Sequence, residues 1–146
     1  MIRRQPPQST AVALLQEQGL PVSDITGEHL EHFFFVGSDG SPTALVGLEL
    51  YGTDALLRSL VVAANVRRKG LGATIVDHAE QYAASKGVRS IYLLTTTAEA
   101  FFKRLGYERV ERSNAPPSIE RTREFAGLCP ASSAFMLKSL KPPGDL

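Results

Sequence analysis

Leu60-Val61-Val62-Ala63-Ala64-Asn65-Val66-Arg67-Arg68-Lys69-Gly70-Leu71-Gly72 runs from an apolar strand into an amphipathic helix. After Gly70, apolar residues at Leu71, Ile75, Ala79, Tyr82 and Ala83 share one helix face, and Gly87 stands where that helix should stop. A helix start leaves about four backbone N–H groups without intrahelical partners and carries the positive end of the helix dipole. Gly70 and Gly72 lack a Cβ, so an anion can approach this backbone closely. Arg67, Arg68 and Lys69 add charge at the same end. A pyrophosphate spans several donors and suits such a junction better than a carboxylate. Two nucleotide-binding motifs fail on spacing. A Walker loop needs Lys-Ser/Thr directly after its last glycine, where Ala73-Thr74 stand. A dinucleotide fingerprint needs a third glycine where Ile75 stands.

Upstream of the junction, residues 55–63, 43–51 and His32-Phe33-Phe34-Phe35-Val36 read as strands. The turn signals Gly52-Thr53-Asp54 and Ser38-Asp39-Gly40-Ser41 separate them, which predicts an antiparallel meander. Ser9 or Thr10 can cap a first helix that stops at Gly19-Leu20-Pro21, while 22–31 reads as a short helix or a loop. Downstream, 90–95 is a strand, 98–105 a short helix ended by Gly106, and 107–110 a strand. Pro116-Pro117-Ser118 starts a helix toward Phe125, 133–140 is a last strand, and Pro142-Pro143-Gly144 is a frayed tail. The strand–helix–strand unit across 55–95 requires a right-handed crossover between parallel strands. The expectation is one α/β domain over 1–146, with a mixed, mostly antiparallel sheet flanked by helices.

Composition sets outer bounds. An apolar share of 43% and a charged share of 21% are those of a soluble globular chain. A formal charge of +1 gives no general reason to expect nucleic acid or an anionic membrane as partner. The one cysteine, Cys129, excludes an internal disulfide and fits a reducing compartment. No apolar run approaches the ~20 residues of a membrane span, and no apolar stretch follows the charged start, so a cytoplasmic location is expected.

The pattern Arg67-x-x-Gly70-x-Gly72 after Leu60-Val61-Val62 resembles the cofactor motif of the GNAT acetyltransferase superfamily. Ala98-x-x-Phe101-Phe102-x-x-x-Gly106-Tyr107 is similar to that family's later motif. The Leu56-Leu57-Arg58-Ser59, Leu93-Leu94-Thr95-Thr96-Thr97-Ala98 and Phe125-Ala126-Gly127-Leu128-Cys129-Pro130 segments resemble GNAT proteins associated with arsenic-resistance operons. The C-terminal third also resembles the acetyltransferase domain of N-acetylglutamate synthases. The resemblance implies a sheet that splays between its fourth and fifth strands, with the pantetheine of acetyl-CoA in the gap. Val62 and the neighbouring backbone groups of Leu60 and Val61 would then bond the pantetheine amides. Arg67, Arg68, Lys69, Gly70, Leu71 and Gly72 would hold the pyrophosphate. A homodimer is the assembly this resemblance suggests.

The family reaction is attack of an amine on the thioester. An amine of pKa ~10 is mostly protonated at neutral pH, so the site needs a base. Glu49 is the candidate, since it alternates with Leu48 and Leu50 and faces away from them. A solvated strand glutamate is the competing reading. Many relatives place a tyrosine at the second position of the Phe101-Phe102 pair to protonate the leaving thiolate; Phe102 cannot. Tyr92, Tyr107 and the hydroxyls of Thr95, Thr96 and Thr97 could substitute. A thiol of pKa ~8.5 also leaves tolerably without an acid. Arg58, Ser59 and Thr95 are expected on the substrate side, with an exposed strand arginine the competing reading of Arg58. Cys129 reads as a buried structural thiol, and the two phenylalanine clusters read as core. His29 and His32 have helical spacing but no evident third ligand group, so no metal is expected. The expected activity is acetyl transfer from acetyl-CoA to a small amine, an amino acid or an amino-acid-like toxicant. The competing functions are an acetyl-CoA-binding module without catalysis and a protein acetyltransferase.

Overall fold

The computed structural model describes residues 2–67, 70–129 and 132–140. Its strands are β1 (Arg3–Arg4), β2 (Phe33–Ser38), β3 (Ser41–Tyr51), β4 (Asp54–Val62), β5 (Ser90–Thr95), β6 (Glu108–Arg109) and β7 (Ala134–Ser139). Its helices are α1 (Gln8–Glu17), α2 (Gly27–Leu30), α3 (Leu71–Ser85), α4 (Glu99–Arg104) and α5 (Pro117–Glu120). The strands form one sheet in the order β1-β2-β3-β4-β5-β7-β6. The β4–β5 pair is parallel, and β1–β2, β2–β3, β5–β7 and β6–β7 are antiparallel. This is the mixed, mostly antiparallel α/β sheet that the pattern predicts. The chain divides into two compact units, 1–49 with 57–82 and 50–56 with 83–146.

In the first unit, alternation along β2 sends its phenylalanines to opposite faces. Phe33 and Phe35 join Ala11, Leu14 and Leu15 of α1, Leu30 of α2, Leu45 of β3 and Val61 of β4 in one cluster. Phe34 turns the other way, edge-on to His78 and Tyr82 of α3. Gly47 is obligatory opposite Phe33, because an added Cβ would stand 2.3 Å from that ring. One expectation needs correction. α1 starts at Gln8 with Pro7 as its cap, so Ser9 and Thr10 lie inside the first turn and cap nothing. A helix start tolerates a preceding proline, which needs no N–H partner. The 22–31 stretch contains the short α2, capped by Thr26. β1 was not foreseen: two residues carry no periodicity, and Arg3 is fixed instead by the Phe35 ring and by Asp39.

In the second unit, β4 pairs with β5 through Asp54↔Ser90, Ala55↔Ile91 and Leu56↔Tyr92. β4 then runs on to Val62 beyond its last paired residue. β5 pairs with β7 along its whole length. Leu56, Tyr92, Ile119 and Phe135 form the core cluster, with Tyr92 stacked on Phe135 at 5.4 Å. The helix expected to reach Phe125 ends at Glu120. There the Thr122 hydroxyl donates to the Ile119 carbonyl and accepts from the Phe125 N–H, which opens a separate helical turn over Glu124–Leu128. The expected tail at Pro142-Pro143-Gly144 lies outside the described residues.

Candidate functional site

β4 carries both parts of the site within the first unit. At its end, Gly70 has φ +76°, open to glycine and strained for other residues. Thr74 makes the first helical bond of α3, its N–H donating to the Gly70 carbonyl at 3.1 Å. The N–H groups of Leu71, Gly72 and Ala73 therefore precede any intrahelical acceptor. Arg67 is exposed and turned back: its Nε donates to the Val62 carbonyl at 3.0 Å, and its Nη2 donates to Gln18 at the end of α1. The loop is thus tied to β4 and α1 before any ligand arrives. Arg68 and Lys69 lie outside the described residues.

In the middle of β4, Ser59 has φ +60°, a left-handed residue inside a strand. Regular alternation would put positions 58 and 61 on opposite faces. With Ser59 in this conformation, Arg58 reaches Asp24, next to Ile25 of the α1/α2 cluster, and Val61 packs in that same cluster. The Arg58 side chain is wholly buried. Nη1 donates to Asp24 Oδ2 at 2.5 Å and Nη2 to Asp24 Oδ1 at 2.8 Å. Nη1 also donates to Glu49 Oε2 at 2.8 Å, and Nε to Ser59 Oγ at 3.1 Å. Burial pushes the Asp24 carboxyl up, but the hydrogen bonds and charge of Arg58, with His29 adding to them, outweigh this and hold it below its ordinary value.

His29 sits beside this cluster, Nε2 4.0 Å from Glu49 Oε2. Its Nδ1 accepts the Thr26 N–H at 3.1 Å in a capping box. A backbone N–H only donates, so neutral His29 carries its proton on Nε2, on the Glu49 side. Asp24, His29 and Glu49 hold ligand-type atoms within 4.8 Å of one another. The spacing of His29 and His32 therefore missed the relevant neighbours, since His32 instead meets the Tyr82 hydroxyl at 3.0 Å. The cation within reach of both carboxylates is Arg58.

The structure brings Glu49, Arg58 and Ser59 together. The solvated glutamate and exposed arginine are overturned, since both side chains are buried. Asp24 was missed, and Gln18 with it; each lies far along the chain from its partner and belongs to no motif. Thr95 lies in the second unit, where its Oγ1 accepts the Ala98 N–H ahead of α4. Phe102 is core, edge-on to Phe101 and Tyr107. Burial, then the Asp54 carboxylate, pushes the Tyr92 hydroxyl up, and burial also raises Asp54. Cys129 is half-buried rather than enclosed.

The acetyltransferase (GNAT) family model matches residues 4–107, which include all of the first unit beyond its first three residues and the stretch 67–72. The chain belongs to the GNAT family. An uncharacterized N-acetyltransferase of Chlorobaculum tepidum is 34% identical over 95 residues, 64% of this chain and 61% of that relative. N-acetylglutamate synthase of Neisseria gonorrhoeae, solved with coenzyme A and N-acetyl-glutamate, superposes with TM-score 0.82 at 18% identity. It covers 97% of this chain, which spans only 35% of that longer protein. Rv2747 of Mycobacterium tuberculosis, solved with CoA and NLQ, superposes with TM-score 0.75 at 19% identity, covering 97% of this chain and 99% of its own. These superpositions establish the GNAT fold. Among the described residues, no helix is long and apolar enough to cross a membrane.

Proposed function

We propose that this GNAT protein transfers the acetyl group of acetyl-CoA to the amine of a small molecule, an amino acid or an amino-acid-like toxicant. The observation that carries the reading is the α3 start, where backbone N–H groups without an intrahelical acceptor follow the left-handed Gly70 beside Arg67. That constellation suits a pyrophosphate, and the Neisseria and Mycobacterium relatives were solved with coenzyme A. Gly70, Leu71 and Gly72 would hold the pyrophosphate through their backbone, with Arg67, Arg68 and Lys69 adding charge. Leu60, Val61 and Val62 would line the pantetheine.

The acceptor arrives as an ammonium, and Glu49 takes its proton. The free amine attacks the thioester carbonyl, a C–N bond forms and the C–S bond breaks; the nitrogen gives up its second proton to the departing coenzyme A sulfur, which at a pKa of ~8.5 leaves without a strong acid and ends as the free thiol. Arg58 and Ser59 stand next to Glu49 on the substrate side. Acetyl-CoA and a panel of amines should release free thiol, and Glu49→Gln should lower that rate by about 100-fold. Full activity of Glu49→Gln would remove Glu49 from the chemistry.

Burial of Phe102 among aromatic rings favours a second reading, a GNAT module that binds acetyl-CoA without turnover. It predicts thermal stabilisation by acetyl-CoA with no thiol released by any amine. A role beside arsenic-resistance functions is supported by the resemblance of segments 56–59, 93–98 and 125–130 alone. A cytoplasmic homodimer completes the proposal, supported by the single cysteine and the family resemblance. Sedimentation at the mass of one chain would overturn the dimer.

A further inference from the structure

We propose that Asp24 is a positioning residue for the Glu49 carboxylate, acting through Arg58. The inference rests on the reading of Glu49 as base and concerns how that base is kept usable. A buried guanidinium is costly unless its charge is met and its N–H groups are bonded. Asp24 meets that charge alone, one oxygen to each terminal nitrogen. Such a forked pair is the strongest geometry available to these two side chains. Glu49 is then a second anion on a cation already neutralised. It takes a bond from Nη1, which fixes where its carboxylate points. It does not take the whole charge of the guanidinium.

Without the Asp24 charge, Arg58 and Glu49 become a one-to-one buried pair. Coulomb attraction in so poorly solvated a place then opposes proton uptake by Glu49. The ionisable groups gathered here are Asp24 from the loop before α2, His29 from α2, Glu49 from β3 and Arg58 from β4. Asp24 takes both terminal nitrogens of Arg58, whereas Glu49 takes a bond from Nη1. Arg58 also bonds Ser59 through Nε, so one guanidinium orients both the base and the turn in β4.

Asp24→Asn keeps the shape and removes the charge. Its kcat should fall about 10- to 100-fold, with the KM for acetyl-CoA within about twofold and the acid limb of the rate profile moved to lower pH. Asp24→Glu should restore part of the rate. A folded Asp24→Asn protein with unchanged kcat and rate profile overturns the proposal. If Asp24→Asn does not fold, Arg58→Lys keeps the charge and loses the fork. Its kcat should fall while the acetyl-CoA KM holds, and a retained kcat overturns the proposal. Full-rate Glu49→Gln defeats the base reading itself. An inactive Glu49→Gln beside an unaltered Asp24→Asn defeats only the positioning role.

Discussion

β4 ends in one kind of site and carries another in its middle. The start of α3 has Arg67 and Gly70 exposed, is built from residues close in sequence, and offers backbone N–H groups at a helix start. The Arg58 cluster is buried, built from side chains of three segments, and offers charges. A backbone site depends on conformation, so few of its side chains matter to stability. A side-chain site with buried charges depends on every partner, because each removal strands the others. Substitutions in the loop should therefore act on binding and leave the fold intact, whereas substitutions that strand a charge in the cluster should act on folding as well as on rate.

The largest effect tests the second half of that contrast. Arg58→Met leaves Asp24 and Glu49 buried without the guanidinium and should cost about 3–5 kcal/mol in urea unfolding. A loss below about 1 kcal/mol would mean that the carboxylates escape to water on their own. Gly70→Ala tests the first half. Nothing stands within 4 Å of the added Cβ, so the strain of φ +76° is the only penalty. That penalty is about 1 kcal/mol, while calorimetry should show acetyl-CoA binding weakened about tenfold as the helix start is re-aimed. Equal losses of stability from the two variants would erase the distinction.

The same contrast explains what could be read from the chain in advance. The α3 start was legible because its glycines, basic residues and apolar period are contiguous. β2, β3 and β4 were legible because turn residues punctuate them, and the parallel β4–β5 pair followed from the crossover. Glu49 was legible through simple alternation. Asp24 was not, because it lies in the irregular stretch between α1 and α2, 34 residues from Arg58 along the chain. Two-residue β1 lacks the length to show any period. The left-handed Ser59 was invisible for a related reason: serine is no signal for positive φ, and its conformation is imposed by the neighbours that Arg58 gathers.

Acid sensitivity separates the two regions by a smaller effect. The Asp24 carboxyl is held below 3.8, its ordinary value, chiefly because Arg58 outweighs the effect of burial. A lowered folded value means that its contribution is complete above 3.8 and is lost as pH falls through the folded value. Asp24→Asn should therefore flatten the decline of stability with pH below that point, as followed by circular dichroism. Gly70→Ala, in a loop without a carboxylate, should leave the slope of the wild type unchanged. Parallel slopes in all three proteins would show that Asp24 is not the group whose protonation weakens the fold.

The smallest effect isolates the strain in β4. Ser59 makes one hydrogen bond, from Arg58 Nε to its Oγ, and holds φ +60°. Ser59→Ala loses the bond and keeps the strain. Ser59→Gly loses the same bond but relieves the strain, at the cost of greater freedom in the unfolded chain. On propensity for an ordinary strand, glycine would be the worse residue of the two by several tenths of a kcal/mol. At a left-handed position the order reverses, because a Cβ there costs about 1–2 kcal/mol. Ser59→Gly should thus be more stable than Ser59→Ala by about 1 kcal/mol, although it removes more of the side chain. If alanine were the more stable, β4 would not turn at Ser59, and Arg58 and Val61 could not both reach the α1/α2 side.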